Sequence, residues 1–125
     1  MRRLHVLLVE DDYDARSLYG IMLLRAGYQV STVQNGFEAL ALMQENRPDL
    51  LITDLAMPVL DGVELIKIVR GKNEYADLPL LAMTGHGNQI RQLATEAGAN
   101  KAMDKPISES EMREAIASVL LSEGK

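Results

Sequence analysis

Short aliphatic runs alternate with longer amphipathic stretches along this chain, and that alternation constrains its fold more than any other feature. Residues 4–9 (LHVLLV), 50–53 (LLIT) and 80–83 (LLAM) are almost continuously apolar. Runs of this length, rich in aliphatic side chains and bounded by charge or turn residues, are expected as buried strands. Gln29–Val33 is a weaker strand with alternating character, and residues 101–103 are a short, poorly marked fifth. Between the runs, apolar residues recur at helical spacing. Ala15, Leu18, Met22 and Ala26 set the face expected for a first helix, stopped by Gly27. Phe37, Leu40 and Ala41 mark a second that must end before Pro48. Val63, Ile66 and Val69 mark a third, ending near Gly71. Ile90, Leu93, Ala94 and Ala97 mark a fourth, stopped by Gly98. Met112, Ala115, Ile116, Val119 and Leu120 mark the fifth, and Ser108 with Glu111 forms a capping box at its start.

The order is β-α repeated five times. Strictly alternating elements with continuously apolar strands predict a parallel sheet with helices on both faces. A chain of 125 residues fits one hydrophobic core. One domain over residues 1–125 is therefore expected. With 13 basic and 18 acidic residues the net charge is −5, which argues against direct nucleic-acid binding through phosphates. Cysteine is absent, which excludes disulfide scaffolds, thiolate zinc sites and cysteine nucleophiles. The apolar runs are too short for a membrane span, so a cytoplasmic protein with no membrane partner is expected.

The acids are unevenly spread. Four of the five residues 10–14 are acidic, directly after the first strand, and like charges that close together need something to offset them. In an open parallel sheet, ligands bind beyond the carboxyl ends of the strands. Glu10 and Asp11 follow the first strand, Asp54 ends the third, Thr84 and Gly85 end the fourth, and Lys105 follows the fifth. Oxygen ligands without His or Cys suit a hard divalent cation, with Mg²⁺ the usual choice near phosphate. Such an ion would leave Asp54 free to attack phosphorus, with Thr84 and Lys105 placed to receive the phosphoryl oxygens. Asp12, Asp14 and Asp61 are expected as helix caps or solvated loop acids, Asp12 at the start of the first helix.

The stretches VLLVEDD, LLITDLAMPVLDG, LLAMTG and DKPIS together resemble the receiver domain of two-component response regulators, over essentially the whole chain. The resemblance implies a flavodoxin-like (βα)5 sandwich with strand order 2-1-3-4-5. It implies Asp54 as phosphoacceptor, and Thr84 and Lys105 as the groups that contact the phosphoryl group. It also implies Mg²⁺, with Mn²⁺ as a substitute, held by Glu10, Asp11, Asp54 and the Ala56 backbone carbonyl. Pro106 matches a proline usually preceded by a cis bond. The implied function is to take phosphate from the phosphohistidine of a sensor histidine kinase or a histidine phosphotransfer protein, and then to hydrolyse the acyl phosphate slowly. That is signal transduction by a phosphoprotein rather than enzymatic action on outside substrates. The alternatives are a receiver that acts as a phosphorylation-independent interaction module and a haloacid dehalogenase-like phosphatase. The latter needs a second acid two residues after the nucleophile, where this chain has Ala56. Monomer and phosphorylation-dependent dimer both stay open.

Four positions depart from the family pattern or call for comment. Ala102 stands where the family usually carries an aromatic switch residue, so switching is expected to run through the loop after the fourth strand. His86 lies in that loop, where the family tunes hydrolysis. Gly62 is expected in a backbone conformation that side chains disfavour. Residues 21–24 (IMLL) are four apolar residues in a row, so part of the first helix must face away from the core, and Leu23 is a candidate contact with a kinase.

Overall fold

The computed structural model describes residues 3–123; residues 1, 2, 124 and 125 of the expected 1–125 span lie outside the described residues. The element order is β1 (His5–Val9), α1 (Tyr13–Arg25), β2 (Gln29–Val33), α2 (Gly36–Glu45), β3 (Leu50–Asp54), α3 (Gly62–Arg70), a single 3₁₀ turn (Asn73–Tyr75), β4 (Leu80–Thr84), α4 (Asn88–Ala97), β5 (Lys101–Asp104) and α5 (Glu109–Glu123). The strands form one parallel sheet in the order β2-β1-β3-β4-β5.

Strand periodicity divides the core into two layers. Leu7, Val9, Leu51 and Leu80 face α2, α3 and α4, where they meet Ala39, Met43, Leu65, Ile66, Val69 and Ala94. Val6, Leu8, Leu50, Ile52, Leu81 and Met83 face α1 and α5, where they meet Tyr19, Leu23, Met112, Ala115, Ile116 and Val119. The central strands β1, β3 and β4 are buried along their whole length. This explains their unbroken apolar sequences. The edge strands β2 and β5 are partly exposed and carry a correspondingly weaker signal.

The helix starts follow local chemistry. Asp12, Asn35 and Asp61 accept from the backbone amides of Ala15, Glu38 and Glu64, each capping a first turn. The expected capping box is present: Ser108 N donates to Glu111 Oε1 at 2.9 Å, and Glu111 N donates to Ser108 Oγ at 3.1 Å. Gly27 and Gly98 end α1 and α4 at φ 100° and 127°.

Three expectations are corrected. The inner face of α1 centres on Tyr19 and Leu23, flanked by half-buried Ala15 and Met22, and the expected Leu18 is not part of it; Leu18, Ile21 and Leu24 are exposed and Leu23 is fully buried. In α2 the inner residues are Ala39 and Met43, while Phe37 and Ala41 are exposed. Both helices carry apolar residues on more than one side, so spacing alone selects the wrong stripe. Gly62 is not at positive φ. It is needed for space, because a Cβ there would lie 2.3 Å from the carbonyl oxygen of Asp54 and 2.6 Å from Leu55 Cα.

The strained residue of that turn is Val59, at φ 71°. The amide of Leu60 donates to the Pro58 carbonyl at 2.8 Å, closing a γ-turn over Val59 that β-branched residues disfavour. Two substitutions in this turn therefore have opposite signs. Gly62→Ala is expected to cost about 1–3 kcal/mol through overpacking. Val59→Asn is expected to stabilise by about 1 kcal/mol, since Asn tolerates the left-handed region. Urea unfolding of both variants checks the pair; equal shifts of the same sign would contradict it.

Candidate functional site

The sheet gathers side chains from four strand ends. Glu10 and Asp11 follow β1, with the Glu10 amide donating to Val33 O at 3.1 Å. Asp54 is the last residue of β3. Thr84 is the last residue of β4, in register with Asp104, and Lys105 follows directly. The Lys105 amide donates to Thr84 O at 2.8 Å, tying the β5 end to β4. The Lys105–Pro106 peptide is cis, as the resemblance implies.

One ligand oxygen from each of Glu10, Asp11 and Asp54 lies within 4.8 Å of the others. Glu10 is 1% exposed and Asp54 4%, whereas Asp11 opens the cluster to solvent. Lys105 Nζ lies 2.5 Å from Glu10 Oε1 and 3.1 Å from Asp54 Oδ1. The ammonium thus serves as counter-ion to two buried carboxylates. Burial pushes the Glu10 carboxyl above its ordinary value of 4.5, with the Asp54 charge adding to the rise and the Lys105 hydrogen bond opposing it. Burial also raises Asp54 above 3.8, opposed by Lys105 and assisted by Asp11. For Lys105, burial acts downward, but Glu10 and Asp54 together outweigh it and the pKa rises. One ammonium therefore does not fully offset the desolvation of two carboxylates. An all-oxygen cluster with unmet negative charge fits a hard divalent cation.

Sequence reasoning missed two residues of α1. Arg16 donates from Nη1 to the carbonyls of Glu10 at 2.8 Å and Asp11 at 3.3 Å, pinning the acidic loop by its backbone. Tyr19 places its ring 6.0 Å from Lys105 Nζ, and its hydroxyl accepts from the Ile107 amide at 3.3 Å. Arg16, Tyr19 and Leu23 share the i, i+3, i+7 line of a helix face, and that spacing was the available signal.

The remaining expected residues lie around the cluster. Ala56 is half-buried two residues beyond Asp54. Thr84 is fully buried, and its hydroxyl oxygen accepts from the His86 amide at 3.0 Å. His86 itself is exposed, so its backbone engages Thr84. Ala102 is half-buried on β5, facing α4. His5, inside β1, is buried and its Nε2 lies 2.8 Å from Ser31 Oγ.

A doubly wound α/β domain with an acidic cluster and a lysine at the carboxyl ends of its strands matches what the resemblance implies for a receiver domain. A family model for the response regulator receiver domain matches residues 6–117, and the chain belongs to that family. Sporulation initiation phosphotransferase F of Bacillus subtilis is 32% identical over 112 residues, 89% of each chain. A chemotaxis response regulator of Vibrio cholerae is 33% identical with a TM-score of 0.88, over 94% of this chain and 99% of that one. The receiver domain of a sensor histidine kinase from Pseudomonas aeruginosa, solved with a magnesium ion in its active-site cleft, is 27% identical with a TM-score of 0.87, over 99% of this chain and 100% of that one. The chain spans 46% of the mycobacterial response regulator MprA, about half of that protein. Among the described residues, no helix is long and apolar enough to cross a membrane.

The raised carboxyl pKa values have a definite sign. Between the ordinary values and the raised ones, the folded state holds more protons than the unfolded state. Stability therefore falls as pH rises through that window. In chelator, Asp54→Asn is expected to flatten this fall. At pH 7 it should melt about 3–5 °C above wild type, the shift that about 1 kcal/mol produces at this size. Thermal melts over a pH series measure the difference, and a variant melting at or below wild type would contradict the charge balance described.

Proposed function

We propose that the chain is a phosphoacceptor switch: Asp54 takes a phosphoryl group from the phosphohistidine of a sensor histidine kinase or a histidine phosphotransfer protein, in a reaction that needs Mg²⁺. The single observation that carries the reading is the buried Asp54 carboxylate with Glu10, Asp11 and Lys105 gathered around it. The magnesium described for the Pseudomonas receiver domain supports the choice of ion. Glu10, Asp11, Asp54 and the Ala56 carbonyl would hold it, and Mn²⁺ would substitute. When bound, the ion neutralises the carboxylates and the incoming phosphoryl oxygens.

The protein's own groups supply the rest. An Asp54 oxygen attacks phosphorus and forms the acyl phosphate as the phosphorus–nitrogen bond of the donor breaks. The imidazole nitrogen keeps the electron pair and takes a proton from solvent. Lys105 leaves its carboxylate partners to pair with a phosphoryl oxygen, and Thr84 gives up the His86 amide to donate its hydroxyl to another. Later attack by water on phosphorus returns the Asp54 carboxylate and free phosphate, so the domain turns over only on itself.

Docking of the donor falls to the exposed apolar stripe of α1. Leu18, Ile21 and Leu24 are each exposed, with Tyr13 at the helix start beside the site. Leu23 is core, so substitution there tests stability rather than docking.

Two measurements test the proposal. Incubation with acetyl phosphate and Mg²⁺ should add one phosphoryl group by intact mass, and Asp54→Ala should abolish it; a wild type that gains none would favour the phosphorylation-independent interaction module. Ile21→Glu should leave labelling by acetyl phosphate unchanged while slowing transfer from a phosphohistidine donor at least about tenfold, the loss expected when about 1.4 kcal/mol of docking energy is removed. Equal loss with both donors would move Ile21 from docking to folding.

A further inference from the structure

Tyr19 stands in a place that packing alone would give to an aliphatic residue. It lies on the inner face of α1, 3% exposed, in the apolar layer that α1 and α5 form against the sheet. The other buried members of that layer are aliphatic side chains and methionines, among them Leu23, Met103, Ile107 and Met112. A buried phenol brings a hydroxyl that needs a partner, which an aliphatic side chain does not. Two contacts account for the tyrosine. Its hydroxyl accepts from the Ile107 amide at 3.3 Å, and its ring centre lies 6.0 Å from Lys105 Nζ. Both contacts fall on the turn between β5 and α5, two residues apart, so α1 grips the segment that carries Lys105.

Lysine is a point charge on a flexible four-carbon stem. The Lys105 ammonium is held by Glu10 Oε1 at 2.5 Å and Asp54 Oδ1 at 3.1 Å. A phosphoryl group on Asp54 would redirect it, and the two carboxylates would then no longer fix where it points. Tyr19 carries no charge for a phosphoryl group to redirect, and its burial in a packed layer holds the ring in place. A cation–π contact gains strength away from bulk water, and the Lys105 side chain is only 21% exposed.

We propose that Tyr19 is a positioning residue for phosphoryl transfer: its ring keeps the Lys105 ammonium within reach of Asp54, and its hydroxyl fixes the turn that carries Lys105. The proposal rests on the phosphoacceptor reading and deepens it by naming what steers the lysine. An ammonium confined in advance needs less ordering as charge develops on the phosphoryl oxygens, and that saving appears in the rate. Tyr19 itself touches neither the acceptor nor the donor, so its whole effect runs through Lys105.

The test compares Tyr19→Phe, which keeps the ring and loses the hydroxyl, with Tyr19→Leu, which loses both. Leu23→Val, a core truncation one turn along the same face, controls for a weakened α1. Three quantities are read: the initial rate of phosphorylation by acetyl phosphate in Mg²⁺, the proton chemical shifts of the Lys105 ε-methylene in chelator, and hydrogen exchange of the Ile107 amide. Tyr19→Leu should slow phosphorylation about three- to tenfold, the range a half-desolvated cation–π contact allows. It should also move the Lys105 shifts toward those of a lysine with no ring beside it, and speed Ile107 exchange. Tyr19→Phe should speed Ile107 exchange but keep the Lys105 shifts and stay within about twofold of the wild-type rate, because the ring remains. Leu23→Val should melt below wild type yet keep its rate and shifts. Tyr19→Leu at the wild-type rate, Tyr19→Phe as slow as Tyr19→Leu, or Leu23→Val as slow as either would overturn the ring's role. Unchanged Ile107 exchange in Tyr19→Phe would overturn the hydroxyl's. A wild type that takes no phosphoryl group would remove the phosphoacceptor reading. The Lys105 shifts then still decide whether the ring holds the ammonium, and equal shifts in wild type and Tyr19→Leu overturn it.

Discussion

The pairing of one ammonium with two buried carboxylates sets the terms for the rest of the molecule. Lys105 reaches Glu10 and Asp54 from the far side of the sheet, across the ends of β4 and β3. Isolated charges at that depth would be very costly to ionise. Lys105 lowers that cost without cancelling it, as the upward displacement of both carboxyl pKa values indicates. A site balanced in this way is receptive: an added cation relieves the remaining repulsion, and an added phosphoryl group gives Lys105 a new partner. A fully neutralised cluster would have reason to accept neither.

Holding that balance is the task of the backbone around it. The parallel register brings the ends of β1, β3 and β4 level, so Glu10, Asp54 and Thr84 emerge at one edge. The Lys105 amide is fastened to Thr84, and the acidic loop is fastened by Arg16 through main-chain carbonyls. Gly62 lets the turn after β3 close against the Asp54 carbonyl at a distance no side chain would permit. The strain at Val59 lies in the same turn, three residues away and 88% exposed. Tight closure over Asp54 thus coincides with the one non-glycine residue at positive φ among those described.

The sequence was most legible where burial was two-sided. Strands β1, β3 and β4 are covered on both faces, so their interior positions are apolar and the runs stand out, with polar His5, Thr53, Asp54 and Thr84 confined to the strand ends; β2 and β5 lie at the edges and blur. The chemistry at the strand ends was equally plain, because acids, a hydroxyl and a lysine in those places have few structural reasons to coincide. The helix faces of α1 and α2 were misjudged, since Leu18 and Phe37 are apolar yet exposed, while the inner face of α1 uses the amphipathic Tyr19. Arg16 escaped notice because it acts on backbone carbonyls, which leave no mark in composition. At Gly62 the residue type was read correctly as special, but for the wrong reason: absence of a Cβ matters there for space, and sequence alone does not separate crowding from dihedral preference.

Around the site, rigidity and freedom are unevenly divided. Asp54 and Thr84 are set in strands whose side chains are buried on both faces, and close packing resists their displacement. Thr84 in particular is fully enclosed at the end of β4. Its hydroxyl oxygen accepts from the His86 amide, in a loop bracketed by Gly85 and Gly87 that leads into α4, where Ala94 is the one buried residue. Small Ala102 leaves an open depression beside Asn88, Arg91, Gln92 and Thr95 of α4, and Arg91 reaches Asp104 of β5 at 3.0 Å.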